Sequence, residues 1–306
     1  MNEPLWIWIT FNAFIIFLLA IDLFVLHQKD KVISLKEALI NSSMWIAIAL
    51  LFNLGIYVFL GKEDALNFLT GYLIEKALSI DNLFIFILIF KYFHTPKQYQ
   101  HKVLFWGIIG AIIVRAVFIV FGVSIVSAFH WVLYLFGAFL VFTGIKMALP
   151  QNEEVHPENN PLVNLAKKWT SVTDEYHGNK FFIKKKGQWW ATPLFLTLLT
   201  IESTDVIFAV DSIPAIMAIT LNPFIIYSSN IFAILGLRSL YFALAHLMSL
   251  FNYLNYGLAA ILIFIGMKML IEPFIIIPIF FSLGFIIVAI GIAITASIIN
   301  PNQKKQ

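Results

Sequence analysis

The 306-residue chain contains no cysteine. That absence excludes disulfides, thiol redox chemistry, thiolate metal sites and S-acylation. Charge is scarce: only 12% of residues are Asp, Glu, Lys or Arg, against about 25% in a soluble domain. The net charge of +3 is small and suggests no nucleic-acid partner. No Lys or Arg precedes the first apolar run and no small-residue cleavage site follows it, so the run does not read as a cleavable signal. The period-2 alternation that a membrane barrel needs is missing. No Gly-x-Gly-Asp segment accompanies the membrane aspartates discussed below, which argues against an intramembrane aspartyl protease, and the chain reads as a non-enzyme.

Apolar sequence fills the space. Hydrophobic residues make up 60% of the chain, and the mean hydropathy is +0.88. A bilayer core of about 30 Å needs about 20 apolar residues of helix. Nine runs meet that need, at roughly 5–26, 40–60, 65–90, 103–127, 129–149, 192–218, 222–249, 254–271 and 275–299. The expected fold is an all-α, polytopic membrane helix bundle of about nine transmembrane helices. Lys29, Lys31 and Lys36, then Lys91, Lys97 and Lys102, then six lysines within 150–191, then Lys304 and Lys305 all fall in alternate connections. Basic residues mark the cytoplasmic side, so the N-terminus is placed outside and the C-terminus inside. The polar segment 150–191, with Pro150, Pro157 and Pro161, reads as a connector between two halves. Abundant Phe and Trp read as lipid-facing bulk and interface anchors, and no cofactor is expected.

The halves repeat each other. Ser79-Ile-Asp-Asn-Leu-Phe84 matches Ser203-Thr-Asp-Val-Ile-Phe208, Arg115-Ala-Val-Phe matches Arg238-Ser-Leu-Tyr, and Phe142-Thr-Gly-Ile-Lys-Met147 matches Phe264-Ile-Gly-Met-Lys-Met269. The offset drifts only from 124 to 122 residues. Each copy holds three spans, an odd number, so the second copy enters from the opposite side. That is the three-plus-three inverted repeat of secondary transporters, which place substrate sites near the midplane. The expected division is 1–64 as an N-terminal two-helix segment, 65–149 as the first repeat, 150–191 as the cytoplasmic loop, 192–271 as the inverted second repeat, and 272–306 as the final helix and tail.

Five acids lie inside hydrophobic runs: Glu75 and Asp81 in the third, Glu202, Asp205 and Asp211 in the sixth. A carboxylate at helix centre costs roughly 2.5–3.5 kcal/mol on insertion scales, so a bound cation, a proton or a partner Arg is needed. Bringing the two equivalent spans together would assemble oxygen ligands suited to hard divalent cations such as Mg²⁺, Ca²⁺ and Mn²⁺. Glu202 and Asp205 share a helix face, whereas Asp211 is rotated about 240° from Asp205 on a regular helix. With Pro214 and the Ser203-Thr204 pair nearby, a broken or distorted helix is expected there. Arg115, Arg238 and Lys76 are the candidate charge partners. Asp22 is expected at the membrane interface. Asn53, Asn82 and Asn230 read either as ligands or as interhelical hydrogen-bond partners, with Asn82 favoured beside Asp81. Ser79, Ser203 and Ser212 either ligate or cap backbone groups.

The segments Gly71–Ile87, YQHKVLFWGIIGA, FHWVLYLFGAFLVFTGIKM, ATPLFLTLLTIESTDVIFAVDSIPA and NIFAILGLRSLYFAL are spread from residue 71 to residue 244. They resemble the TerC family of membrane proteins, most closely its Alx-type members. The resemblance implies a manganese exporter of the bacterial inner membrane, with Mn²⁺ as transported ion and Glu75, Asp81, Glu202, Asp205 and Asp211 as its metal-site acids. The link of some members to alkaline conditions fits proton-coupled export. The family's name, from tellurite resistance, keeps open the alternative of a non-transporting component of a tellurite-resistance or metallation complex. The residues name no protein partner; the bilayer and a divalent cation are the partners implied.

Overall fold

In hydrocarbon every backbone N–H and C=O must be satisfied within its own segment, so apolar runs of this length become helices. The computed structural model describes residues 4–22, 33–129, 131–149, 163, 171–173, 175–185, 187–247, 253–271, 274–275 and 277–299, with the side chains of Asp81, Phe84, Asp211, His246 and Leu247 outside that description. Among the described residues there are ten helices: α1 (Leu5–Ile21), α2 (Leu35–Phe59), α3 (Lys62–Tyr92), α4 (Lys97–Ala128), α5 (Val132–Ala148), α6 (Pro193–Met217), α7 (Pro223–Leu235), α8 (Leu237–Leu247), α9 (Leu254–Ile271) and α10 (Ile279–Ile299).

Eight of the nine apolar runs coincide with one helix each, and the run 222–249 divides into α7 and α8. By length and apolarity, α2, α4, α6, α9 and α10 can each cross a membrane, and α7 with α8 makes a sixth span bent by 41°. Helices α1 and α5 are apolar but 17 residues long. Helix α3 has 31 residues, and its acids and lysines lower its apolarity. The outer faces fit lipid: Phe59, Ile16, Val120, Phe281 and Ile292 are exposed, which a water-soluble surface would not tolerate in such number.

Local chemistry sets the helix starts. Ser34 and Glu37 form a capping box at α2, satisfying two orphan donors at once. Asn222 Oδ1 accepts from Phe224 N at 3.0 Å and Ile225 N at 3.5 Å, and Pro223 occupies the first turn of α7, where its missing N–H is harmless.

The distortion expected between Glu202 and Asp211 does not occur. Helix α6 runs unbroken from Pro193 to Met217. Its hydroxyls bond back along the helix instead of opening it: Thr197 to Pro193 O, Thr200 to Leu196 O, and Ser203 and Thr204 both to Thr200 O. Pro214, in the last turn, forfeits the intrahelical bond to the carbonyl four residues before it, yet the helix continues to Met217. The break falls in the next span, at Gly236.

Helices α3, α4, α6 and α7 form the centre, and residues Phe224–Leu235 of α7 are all buried. Helix α3 packs on α6 and α7, α4 packs on α6 and α7, and α5 packs on α9. In the last pair, a Cβ on Gly266 would stand 2.6 Å from Gly137 O, and one on Gly144 would stand 2.8 Å from Ala259 O. With the repeat offset of 122, residue 144 corresponds to 266 and 137 to 259, so the two contacts are reciprocal. Trp8 and Phe11 of α1 join Phe52, Phe68, Phe224, Tyr227 and Phe232 in an aromatic cluster that ties α1 and α2 to this centre.

The connector 150–191 holds more structure than its polar sequence suggests. Strands β1 (Ser171–Val172), β2 (Phe182–Lys185) and β3 (Gln188–Ala191) form one sheet in the order β1-β3-β2. Tyr176 anchors it: its hydroxyl donates to Phe93 O at 2.8 Å and meets Thr95 Oγ1 at 3.0 Å, which in turn meets Thr197 Oγ1 at 3.3 Å. Burial pushes the Tyr176 pKa up, against the pull of its threonine hydrogen bonds, so the phenol stays a donor. Gln100 extends the layer to Thr95 O and to the Tyr241 hydroxyl.

The α5–α9 contact is directly testable. Gly266→Ala forces a backbone shift and lowers stability by about 1–3 kcal/mol. Gly284→Ala, whose Cβ meets nothing within 4 Å, leaves the melting temperature of the detergent-solubilised protein unchanged.

Candidate functional site

An ionised side chain at membrane depth needs a partner within the protein. Arg115 of α4 and Glu75 of α3 are both fully buried, and Asp205 of α6 is 4% exposed. Arg115 Nη1 is paired with Glu75 Oε1, and Nη2 reaches Asp205 Oδ1 at 3.4 Å. One guanidinium therefore bridges carboxylates from the two acid-bearing helices, which correspond in the sequence repeat.

Neutral groups complete the cluster. Arg115 Nη1 donates to Asn230 Oδ1 at 2.9 Å and to Ser212 Oγ at 3.3 Å. Asn230 Nδ2 donates to Glu75 Oε2 at 3.2 Å, and Ser79 Oγ donates to Glu75 Oε1 at 3.3 Å. Among the described residues, Asp205 Oδ2 and Arg115 Nε find no hydrogen-bond partner. The cluster thus joins α3, α4, α6 and α7 through polar atoms alone. Asp205 also borders a cavity of about 20 Å³, shared with Phe86, Gly107, Ala111 and Arg238, with room for about one water.

The other expected residues are distributed around this centre. Glu202 is half-buried one turn before Asp205, its carboxylate pressed against Gly110 of α4, where any Cβ would collide with it. Ser203 bonds the backbone and reads as a cap. Asn82 is buried in α3, but the asparagine that touches the charged cluster is Asn230, on the wholly buried α7. Among the described residues, Asn53 Oδ1 finds no hydrogen-bond partner. Asp81 and Asp211 lie on α3 and α6, with their side chains outside the described residues. Among the described residues, no three His, Asp or Glu side chains stand close enough together to hold a metal ion.

Two charges sit where the sequence did not place them. Asp22 is 2% exposed and pairs with Arg238 Nη2 at 2.5 Å. It is buried within the protein, because a buried guanidinium draws an anion to it. Lys76 donates to Ala233 O at 3.1 Å. Its ammonium stands against Gly236 and 5.9 Å from the Tyr72 ring, so it meets α7 at its C-terminal end, the negative end of the helix dipole. Gly110 and the Tyr176 layer are not singled out by sequence; each is defined by a contact across helices and carries no local signature.

Comparison with known proteins adds the family context. Residues 60–305 match the model of the integral membrane protein TerC family. The chain is 47% identical over 293 residues to an uncharacterised membrane protein of Myxococcus xanthus, covering 96% of this chain and 92% of the relative. It is 44% identical over 295 residues to a membrane protein of Rickettsia bellii, covering 96% and 98%. It is 45% identical over 303 residues to Alx of Escherichia coli K12, provisionally described as a membrane-bound redox modulator, covering 96% and 94%. No solved structure matches.

Arg115→Gln leaves Glu75 and Asp205 buried without a cation and lowers stability by roughly 3–5 kcal/mol. The triple variant Arg115→Gln, Glu75→Gln, Asp205→Asn, which removes the charges together, recovers most of that loss in thermal unfolding of the detergent-solubilised protein.

Proposed function

Since the chain belongs to the TerC family of integral membrane proteins, we propose that it is an inner-membrane exporter of divalent metal ions, with Mn²⁺ the favoured substrate. One observation carries the reading: buried carboxylates from corresponding helices of the two copies, Glu75 and Asp205, converge on a single cation, Arg115. A cytoplasmic ion that replaces this cation meets two carboxylates, the Asn230 amide oxygen and two serine hydroxyls, a hard-ligand set. Asp81, Glu202 and Asp211 lie on the same two helices and supply further oxygens along the path.

The reciprocal Gly144–Ala259 and Gly266–Gly137 contacts support two copies related by an axis between them. In the nine-span arrangement with outside N-terminus, that relation is an inverted repeat, and rocking one copy against the other gives alternating access. A proton and a divalent cation compete for the same carboxylate oxygens, so protons outside release the ion and return as its counter-ion. The redox modulation for which the Alx relatives are described has no thiol to act through here, because the chain has no Cys.

A second reading has one observation in its favour. The β1–β3 sheet presents exposed Trp189 and Phe182, a surface that a non-transporting component of a metallation or tellurite-resistance complex would use to dock a partner.

Purified protein in liposomes, with a metal-sensitive dye inside, separates the two. An exporter moves Mn²⁺ alone, faster against an opposing pH gradient, and Asp205→Asn falls to the protein-free background. Folded protein that moves no ion favours the docking component, and flux indifferent to the gradient removes the proton coupling.

A further inference from the structure

The guanidinium of Arg115 stands where four oxygens converge, with a fifth behind one of them. Glu75 Oε1, Asn230 Oδ1 and Ser212 Oγ surround Nη1, Asp205 Oδ1 faces Nη2, and Ser79 Oγ lies against Glu75. These oxygens come from α3, α6 and α7, and the cation from α4. The donors of the cluster are thus contributed by both sequence copies, and a single positive side chain holds them together.

The bridge is not saturated as a purely structural one would be. A buried Arg offers five donors in a rigid fork, and bidentate pairing is its strongest mode. Here the Asp205 bond is long at 3.4 Å, and among the described residues neither Arg115 Nε nor Asp205 Oδ2 has a hydrogen-bond partner. The unpartnered Asp205 oxygen is buried, and its residue borders the small cavity. Neither Glu75 nor Arg115 lines that cavity, so it borders Asp205 from outside the tighter Arg115–Glu75 pair.

The charge balance changes with the occupant. Two carboxylates against one guanidinium leave one negative charge on the three groups. With the guanidinium removed, two negative charges would face a medium that penalises each of them. With a divalent cation in its place, Glu75 and Asp205 are neutralised.

On the export reading, we infer that Arg115 is a tethered counter-cation: its guanidinium occupies the ion's place between Glu75 and Asp205 in the unloaded protein and is displaced when the ion binds. The arginine thereby lets the empty protein return across the membrane. The loaded protein does not need it, because the ion supplies the charge.

The test separates net flux from exchange in liposomes. Net flux runs from Mn²⁺-loaded vesicles into metal-free buffer and needs the empty protein to return. Exchange of radiolabelled for unlabelled Mn²⁺, with metal on both sides, does not. Wild type performs both. Arg115→Gln is expected to lose net flux by roughly a hundredfold, the penalty set by an uncompensated carboxylate at membrane depth, while still exchanging. Arg115→Lys, which keeps a charge but not the fork, recovers part of the net flux. Added Mn²⁺ raises the melting temperature of Arg115→Gln more than that of wild type, because no guanidinium competes with it.

Loss of both fluxes in folded Arg115→Gln overturns the inference, as does net flux at the wild-type level. If Arg115→Gln is unfolded without metal and Mn²⁺ does not restore it, the guanidinium is structural and the inference falls. A wild type that neither exchanges nor is stabilised by Mn²⁺ overturns the export reading itself, an outcome distinct from all of these.

Discussion

A charge at membrane depth must find its counter-charge inside the protein, and the bridge from Arg115 to Glu75 and Asp205 is where this chain meets that demand. The bridge draws α3, α4 and α6 to one point, and Asn230 adds the polar contacts that fix α7 against them. Helix α7 is buried on every side, so its one asparagine has no water to bond. It bonds the charged cluster instead. The Asp22–Arg238 pair repeats the principle where α1 meets α8. Removal of one member of such a pair is costly because the remaining charge keeps its desolvation penalty with nothing to offset it.

Around this polar centre, packing is set by how closely backbones approach. Lipid is as apolar as the side chains, so helices associate through fit and hydrogen bonds, not through water exclusion. Gly137, Gly144 and Gly266 let α5 and α9 meet backbone to backbone. Gly236 serves a different need. The span bends there, and Lys76 brings its ammonium to the carbonyl of Ala233, near the end of α7 where carbonyls lose their intrahelical partners. A side chain at Gly236 would occupy the position of Lys76 Nζ, 2.8 Å away. Tyr176, Thr95, Thr197 and Gln100 close one end of the bundle with hydrogen bonds and tie the sheet of the connector to α3, α4 and α6.

Much of this is legible in the residues. Apolar run length yields the helices because hydrocarbon permits little else, and every run has its helix. The acids and arginines stand out because charge is rare in such runs. Other features mislead for identifiable reasons. Ser203, Thr204 and Pro214 suggest an opened α6, but the two hydroxyls bond back to Thr200 O without breaking the helix, and the one bond that Pro214 forfeits does not end it before Met217. Asp22 sits near a run's end, where an interface is the ordinary expectation, and only the approach of Arg238 makes it buried. Asn82 is favoured by its sequence neighbour Asp81, whereas interhelical contact singles out Asn230.

Composition, run length and repetition give a membrane helix bundle, the matched motifs of its two halves, and the few charges that must be compensated within it. All three are properties of the chain taken in order. Which charge meets which is settled only by the packed helices: Arg115 with both Glu75 and Asp205, Arg238 with Asp22, and Lys76 with the broken end of α7. Pairing depends on helix rotation and on approach between segments up to 216 positions apart, and neither is encoded in the neighbourhood of any one residue.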